Sequence, residues 1–177
     1  MSGLPRPNES TSPPEVPLQA FTTHAPNVEA TLELGRRVAR CLAPGMSVAL
    51  IGDLGSGKTT MVRGVLAGLG WAGAVKSPTY TLVEHYQISS IYFYHFDFYR
   101  IEDPDEFATG GFADYFSSSA VCFVEWPERV APWLPAPDLE IRLRYAAEDP
   151  AAGRDIELAA RTEQGRRCVS VIADPGG

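Results

Sequence analysis

The stretch Gly52–Thr60 fits the pattern G-x-x-x-x-G-K-[ST], which binds the phosphates of nucleotides. Glycines in this loop allow positive φ, so main-chain N–H groups can approach an anion, and the following helix points its positive dipole end at the same anion. Lys58 is expected to bridge the β- and γ-phosphates, and the Thr59 hydroxyl is expected to bind Mg²⁺. The predicted nucleotide contacts are Asp53, Leu54, Gly55, Ser56, Gly57, Lys58, Thr59 and Thr60.

Two acidic residues near the ends of predicted strands are candidates to hold the metal and orient the attacking water. Glu125 follows the apolar run Ala120–Val124, at the strand edge where open α/β sheets bind ligands. Asp97 lies late in another strand, on the same face as His95. Either carboxylate could contact Mg²⁺ directly or through water, and Glu125 could instead polarise the attacking water. A structural ion pair of Asp97 with Arg100 or His95 is the alternative.

Two further features lie at suggestive positions. Ser77-Pro78-Thr79 follows the loop and its helix at a distance where many nucleotide hydrolases have a switch segment. A hydroxyl there, such as that of Thr79, could sense the γ-phosphate or its Mg²⁺, although the same tripeptide also forms ordinary turns. Trp126, next to Glu125, is either a packed aromatic residue or part of the site.

A strand, the phosphate loop and a helix must occur in that order to position these residues. Met46–Ile51 has the apolar character of a short buried strand, and Thr59–Leu69 has the pattern of a helix. We expect an α/β fold, a P-loop NTPase-like three-layer sandwich with a central mixed, largely parallel sheet and antiparallel additions. The other predicted elements are a helix between Val28 and Leu42, hairpin strands Glu84–Ile88 and Ile91–Tyr99, a helix starting at Asp103, a turn at Phe112–Phe116, a strand at Ala120–Val124, a helix at Glu128–Leu134, strands Leu139–Tyr145 and Asp155–Ala160, and a further strand at Cys168–Ile172.

Composition limits the class of protein. Residues 1–17 are rich in Pro, Ser and Glu and are predicted to be a disordered extension, leaving residues 18–177 as a single P-loop domain. The net charge of −7 argues against a broad nucleic-acid-binding face. No apolar run approaches the ~20 residues that span a bilayer, and no signal-peptide layout is present. The expected location is therefore the cytoplasm, without membrane contact.

The three cysteines are Cys41, Cys122 and Cys168. Their wide spacing and odd number resemble neither a disulfide framework nor a metal site. Cys41 and Cys122 fall in apolar runs and are predicted to be core residues.

Taken together, these segments resemble the TsaE (YjeE) family of small bacterial ATPases. Ser56, where alanine is commoner, and Phe98, where leucine is commoner, are small departures. The resemblance covers roughly Leu18–Ala160, and the matching segments are Gly52–Thr60, Ser77-Pro78-Thr79-Tyr80-Thr81-Leu82-Val83, His95-Phe96-Asp97-Phe98-Tyr99-Arg100 and Val124-Glu125-Trp126-Pro127-Glu128-Arg129.

The resemblance implies an ATP-binding and ATP-hydrolysing subunit needed for N6-threonylcarbamoyladenosine formation at position 37 of tRNAs that read ANN codons. Such proteins act on the transferase subunit (TsaD) and its paralogue (TsaB), so tRNA is involved only indirectly. The implied cofactors are ATP and Mg²⁺. On this reading Lys58 holds phosphate, and Thr59 and Glu125 hold Mg²⁺. Asp97 and Thr79 complete the catalytic site, and Trp126 matches a family position linked to activity.

Two alternatives are open at this point. A small-molecule or nucleotide kinase also has a phosphate loop, but usually carries an arginine-bearing lid, which the segment after the loop helix does not suggest. A non-hydrolytic, ATP-gated docking module would need the nucleotide only to order its partner surface. For the favoured function we expect weak ATPase activity in the isolated protein, because no arginine finger is evident and only Arg100 and Arg129 are candidates.

Overall fold

The computed structural model describes residues 16–174, with the side chains of Glu148 and Pro150 excepted. The greater part of the predicted N-terminal extension, residues 1–15, therefore lies outside the described residues. The strands in this part of the chain are β1 (Gln19–Ala25), β2 (Ser47–Ile51), β3 (Val83–Ile88), β4 (Ile91–Asp97), β5 (Ala120–Glu125), β6 (Leu139–Tyr145) and β7 (Arg154–Ala160). The helices there are α1 (Val28–Ala39), α2 (Lys58–Gly68), α3 (Asp105–Thr109) and α4 (Glu163–Ala173).

The strands of residues 16–174 form one mixed sheet in the order β1-β7-β6-β2-β5-β4-β3. The four central strands, β6-β2-β5-β4, are parallel, whereas β1, β7 and β3 are added antiparallel at the two sides. β5 is buried along its whole length, as expected for the apolar run of a parallel strand covered on both faces. The predicted α/β fold and its antiparallel additions are confirmed.

Two hydrophobic cores cover the two faces of the sheet. One core lies between the sheet and α1, α2 and α4, and includes Phe93 and Phe123. The other lies under the segments that follow β4 and β5, where Phe96, Phe98 and Phe107 form an aromatic cluster. Because side chains alternate along β4, Phe96 lies on the opposite face of the sheet from His95 and Asp97.

Helix caps agree with the sequence. The Asn27 side chain accepts a hydrogen bond from Ala30 N at 2.9 Å and begins α1. Before α3, Asp103 N donates to the Glu106 carboxylate at 3.3 Å, which satisfies a main-chain donor ahead of the helix. Among residues 16–174, no helix is both long and apolar enough to cross a membrane.

Two predicted elements were wrong. The segment Cys168–Ile172 is not a strand but part of α4, which Thr162 caps by accepting from Gly165 N at 3.2 Å. A short apolar segment has no decisive periodicity of its own, and the helical spacing of the buried residues appears only over the whole of α4. The predicted helix at Glu128–Leu134 is two separate 3₁₀ turns, because Val130 adopts φ −131° between them.

The cysteine prediction also needs correction. Cys41, just after α1, is disulfide-bonded to Cys168 of α4, with their Cα atoms 4.9 Å apart. The pairing was hidden because 127 residues separate the two cysteines and only the packing of α4 beside α1 brings them together. Cys122 is a free, buried core residue as predicted, and burial raises the pKa of its thiol to about 12.

Helices α1 and α2 approach closely through glycines. A Cβ on Gly64 would lie within 3.0 Å of the Cα, carbonyl carbon and carbonyl oxygen of Leu32. A Cβ on Gly35 would meet the backbone of α2 in the same way. The close approach of α1 and α2 at these glycines fixes the position of α2, and therefore of the loop that precedes it.

We predict that Gly64→Ala destabilises the protein by about 1–3 kcal/mol, because the added methyl group collides with backbone atoms that cannot rotate away. Helix propensity alone would have the opposite sign, since alanine is favoured over glycine by ~1 kcal/mol. Urea unfolding would measure the difference. Ala67→Ser, at an exposed position on the same helix, is the control, and a stabilised Gly64→Ala variant would contradict the proposed contact.

Candidate functional site

The phosphate loop connects the end of β2 to the start of α2. Gly57, the residue before α2, has φ 107°, a conformation that side-chain-bearing residues rarely adopt. A Cβ on Gly52 would lie within 2.6 Å of Leu143 O and Ser56 Oγ, so the loop also requires glycine at its beginning. Within the described residues no side chain caps α2, which leaves its first-turn N–H groups available to an anion.

The other loop residues differ in exposure. Leu54 is 66 % exposed, and Asp53 is also exposed, whereas Ser56 is fully buried. Ser56 N donates to Asp53 O at 3.1 Å, which closes the turn of the loop. Gly55 and Thr60 line the cavities on either side of the loop. Seven of the eight predicted nucleotide contacts therefore line one or both of these cavities, whereas Asp53 lines neither.

Lys58 is held inside this site by its own loop. Its Nζ donates to Gly52 O at 2.6 Å and Asp53 O at 2.8 Å, and it lies 4.3 Å from the centroid of the Trp126 ring. Burial lowers the pKa of Lys58, while the carboxylates of Glu125 and other nearby acids oppose that shift. The ammonium group is thus positioned in the loop, and it can exchange these carbonyl oxygens for phosphate oxygens.

Trp126 contributes an unusual backbone as well as its ring. Its φ of 58° and ψ of 49° are left-handed, which is a strained conformation for a residue of this size, and such strain clusters at functional sites. Its ring packs against Tyr99 at 5.1 Å and faces Lys58 on the loop. The sequence left two interpretations of Trp126, and the structure brings its ring to the candidate site.

Glu125 ends β5 and is the register partner of Asp97 on β4, so both acids lie at the same edge of the sheet. Oε1 of Glu125 accepts a hydrogen bond from the Thr59 hydroxyl at 2.8 Å. The same oxygen lies 2.8 Å from Nε2 of His95. Glu125 is only 3 % exposed, and a buried carboxylate requires partners of this kind. These contacts join the phosphate loop to the acid at the predicted Mg²⁺ position.

Asp97 is oriented by a different set of hydrogen bonds. Its carboxylate accepts from the Thr79 hydroxyl and from Tyr99 N, each at 3.0 Å. Ser77 Oγ in turn lies 2.8 Å from Thr79 Oγ1. The alternative pairing of Asp97 with His95 or Arg100 is not what the structure shows, because His95 contacts Glu125 and the Arg100 guanidinium stacks on Tyr80.

A cavity of about 420 Å³ connects these residues. It is lined by the phosphate loop, Thr79, both acids and Trp126. A second cavity of about 200 Å³ lies on the other side of the loop, between Asn27, Val28 and Arg154. A larger groove of about 620 Å³ opens elsewhere and is lined mainly by proline, alanine and other apolar side chains, without any phosphate-loop residue. The functional groups therefore converge on the smaller cavities beside the loop.

The donor atoms at the site fit Mg²⁺ bound together with a nucleotide. Thr59, Glu125 and Asp97 offer only oxygen, the ligand type that Mg²⁺ prefers. No group of three or more His, Cys, Asp or Glu side chains among the described residues could hold a metal ion on its own. Mg²⁺ is commonly bound by one or two protein groups together with substrate phosphates and water.

Sequence reasoning missed Arg154 and Tyr145. Arg154 donates to Ser56 O at 2.9 Å and to Gly55 O at 3.2 Å, and its guanidinium lies 4.3 Å from the centroid of the Tyr145 ring. Tyr145 donates from its hydroxyl to Leu54 O at 2.8 Å. No local motif marks these residues, and only the placement of β6 beside β2, with β7 next to β6, brings them to the loop. The two residues therefore hold the loop from its outer, carbonyl side.

We predict that Arg154→Met weakens ADP binding by roughly 10- to 100-fold, because hydrogen bonds from a charged group contribute ~1.5–3 kcal/mol and hold the loop in its binding conformation. Isothermal titration would measure the affinity. Arg144→Met, at an exposed position two residues beyond Arg142 on β6, is the matched control. Equal ADP affinity in the Arg154→Met variant and the wild-type protein would contradict this role.

Comparison with known proteins gives a consistent result. A family model described as "Threonylcarbamoyl adenosine biosynthesis protein TsaE" matches residues 25–156. The chain is 39 % identical over 162 residues to the tRNA threonylcarbamoyladenosine biosynthesis protein TsaE of Haemophilus influenzae, covering 89 % of this chain and 100 % of that protein. It is 38 % identical over 123 residues to the protein of the same description from Bacillus subtilis, covering 70 % and 77 %.

A solved structure is similar over most of the fold. The crystal structure of YdiB from Bacillus subtilis aligns with a TM-score of 0.70 and 28 % sequence identity, covering 88 % of this chain and 95 % of that one. The P-loop NTPase-like fold is thereby confirmed, as is the resemblance seen in the four motif segments. The chain belongs to the TsaE family of threonylcarbamoyladenosine biosynthesis proteins.

Proposed function

We propose that this protein is the Mg²⁺-dependent ATPase subunit required for N6-threonylcarbamoyladenosine formation at position 37 of tRNAs that read ANN codons. Its relatives are named for the biosynthesis of this nucleoside. The observation that carries the enzymatic part is the 2.8 Å hydrogen bond from Thr59 to Glu125, because it joins a phosphate loop to an acid at one edge of a parallel sheet.

The residues of the chain divide the work as follows. The loop N–H groups and Lys58 bind the phosphates, after Lys58 leaves Gly52 O and Asp53 O. Thr59 donates its proton to Glu125, which leaves the lone pairs of its hydroxyl free to bind a cation. Thr59 and Glu125 would hold Mg²⁺, which would supply positive charge to offset the negative charge that develops on the phosphates during transfer. Asp97, held by Thr79, is oriented to accept a hydrogen bond from the attacking water.

The second cavity is a suitable place for the nucleoside part of ATP. It shares Gly55, Gly57 and Thr60 with the phosphate site, so it is continuous with the loop. Asn27 and Arg154 supply polar groups at its wall, and Val28 supplies an apolar surface. A few polar groups at the edge of an apolar surface can fix the orientation of such a ligand.

The positions of Arg100 and Arg129 support weak ATPase activity of the protein without its partners. Arg100 lines the main cavity but stacks on Tyr80, with its guanidinium 4.5 Å from the ring centroid. Arg129 lies over Tyr99 at 5.9 Å. Both are thus engaged with aromatic rings, and a transition-state charge would gain stabilisation if a partner reoriented one of them or supplied its own cation.

We further propose that the protein acts on the transferase subunit TsaD and its paralogue TsaB rather than on tRNA directly. The net charge of −7 is unfavourable for binding the phosphate backbone of tRNA, so contact through a protein partner agrees better with the composition. A cytoplasmic location and the absence of membrane contact belong to the same proposal.

The structure offers less support for the alternatives. After α2 the chain continues through Ser77-Pro78-Thr79 into the β3–β4 hairpin, where a small-molecule or nucleotide kinase usually has an arginine-bearing lid. A non-hydrolytic docking module would not need two oriented carboxylates beside the loop. These alternatives predict different behaviour of Glu125 variants.

We predict that Glu125→Gln retains ATP binding but loses multiple-turnover tRNA modification in a mixture of purified TsaD, TsaB and this protein. Lys58→Ala should instead weaken ADP binding by ~100-fold or more, because it removes charge-assisted contacts to phosphate. Lys76→Ala is the matched control, since Lys76 is the other lysine of the chain and is exposed. Unchanged modification by Glu125→Gln would favour ATP-gated docking without hydrolysis.

We also predict that the isolated protein hydrolyses ATP slowly and that adding the TsaD–TsaB pair raises its turnover. The reason is the engagement of Arg100 and Arg129 with aromatic rings. Steady-state phosphate release, with and without the pair, would test this, and pull-down with and without ATP would show whether the nucleotide controls docking. Equal turnover in both mixtures would contradict the prediction, and rapid phosphoryl transfer to a small acceptor would favour the kinase.

A further inference from the structure

His95 is a buried polar residue that the proposed reaction does not use directly. It lies on β4 with no exposed surface, on the face that packs against the helices, between Phe93 and Asp97 in the alternation of that strand. Its Nε2 atom is 2.8 Å from Oε1 of Glu125 on the neighbouring strand. It does not line the cavity that contains the phosphate loop and both acids.

The surroundings of the imidazole define which nitrogen carries the proton. Nδ1 of His95 is buried and has no hydrogen-bond partner among the described residues. An orphaned donor at Nδ1 would be costly, whereas an ionised Glu125 can only accept a hydrogen bond. The proton of a neutral ring therefore belongs on Nε2, which donates it to Glu125.

Oε1 of Glu125 then accepts two hydrogen bonds, one from Nε2 of His95 and one from the Thr59 hydroxyl, each at 2.8 Å. The His95 contact comes from inside the sheet and the Thr59 contact comes from the loop. A carboxylate held from two sides cannot rotate freely about its side-chain bonds. The orientation of the Thr59 hydroxyl, with its proton toward Glu125 and its lone pairs toward the cavity, depends on this arrangement.

We propose that His95 is a positioning residue, which holds the Glu125 carboxylate in the orientation that directs the Thr59 hydroxyl toward a bound cation. The inference rests on the proposed function of the site, but it concerns a contact between residues of this chain. An outer partner that orients a metal-site ligand typically changes activity or metal affinity by about 10- to 100-fold. His95 acts through Glu125 and does not touch the substrate.

The first test needs no catalysis. A long-range ¹H–¹⁵N spectrum of the ¹⁵N-histidine-labelled protein should show His95 with its proton on Nε2, and Glu125→Ala should shift that resonance. The gain in ADP affinity on adding Mg²⁺ should fall by roughly 10-fold or more in His95→Leu, a substitution that removes the hydrogen-bond donor but fills the space. His95→Gln, whose amide nitrogen can occupy the position of Nε2, should restore most of this dependence.

The second test separates positioning from simple structural support. In His95→Leu we expect the kcat of ATP hydrolysis to fall by ~10- to 100-fold with the KM for ATP nearly unchanged. In His95→Gln the same kcat should fall much less. In the Glu125→Gln background, His95→Leu should cause little additional loss, because its effect passes through the Glu125 carboxylate. Urea unfolding of each variant would show that the compared proteins are folded.

The outcomes distinguish this proposal from the proposed function. Glu125→Gln with full ATP hydrolysis would overturn the assigned role of the acid, and the spectrum together with the Mg²⁺ dependence would then decide the role of His95. A proton on Nδ1, or a folded His95→Leu variant with wild-type Mg²⁺ dependence and kcat, would overturn the positioning role. If His95→Leu does not fold, the spectrum and the His95→Gln variant decide the question. A proton on Nε2 together with retained Mg²⁺ dependence of ADP binding in His95→Gln would support the positioning role. A proton on Nδ1, or loss of that dependence in His95→Gln, would overturn it.

Discussion

The parallel pairing of β2 with β5 is the constraint on which the site depends. In this register Leu50 is opposite Glu125, one residue before β2 ends and the phosphate loop begins. β4 pairs in parallel with β5 and places Asp97 opposite Glu125. Three chain segments that are far apart in sequence thus end at one edge of the sheet. An antiparallel pairing at either position would send the loop and the acids to opposite edges.

This arrangement buries charged groups, which costs free energy of solvation. Hydrogen bonds among the groups of the site offset that cost. Lys58, His95, Asp97 and Glu125 are all at most 4 % exposed. Main-chain carbonyls surround the ammonium, hydroxyls and main-chain N–H groups surround the carboxylates, and the imidazole contacts one of them. Removing one partner leaves another buried group unsatisfied, so changes at these positions affect stability together with chemistry.

Local sequence patterns were sufficient to predict where the phosphate loop, the central strands and the two acids lie in the fold. The alternation along β4 correctly placed His95 and Asp97 on one face, and the apolar run before Glu125 correctly indicated a buried strand. Patterns failed where the deciding contact is distant. The Cys41–Cys168 disulfide and the hydrogen bonds from Arg154 to the phosphate loop both depend on packing between segments that are far apart in the chain. The helix around Cys168 was missed for a different reason, because its helical spacing appears only over the whole of α4. Val130 interrupts a predicted helix through a backbone angle that composition does not reveal.

The hydrogen bonds from Tyr145 and Arg154 to the phosphate loop determine how much of the chain the folded site needs. Every motif segment recognised in the sequence lies before residue 130, but Tyr145 and Arg154 hold the loop carbonyls from strands that come later in the chain. β7, which carries Arg154, is itself completed by β1 from the other terminus. A fragment that ended after the last motif would keep the whole signature and lose the outer support of its own phosphate loop. The unit that supports the phosphate loop is therefore larger than the part of the chain that carries the motif segments, because the pairing of β1 with β7 belongs to it.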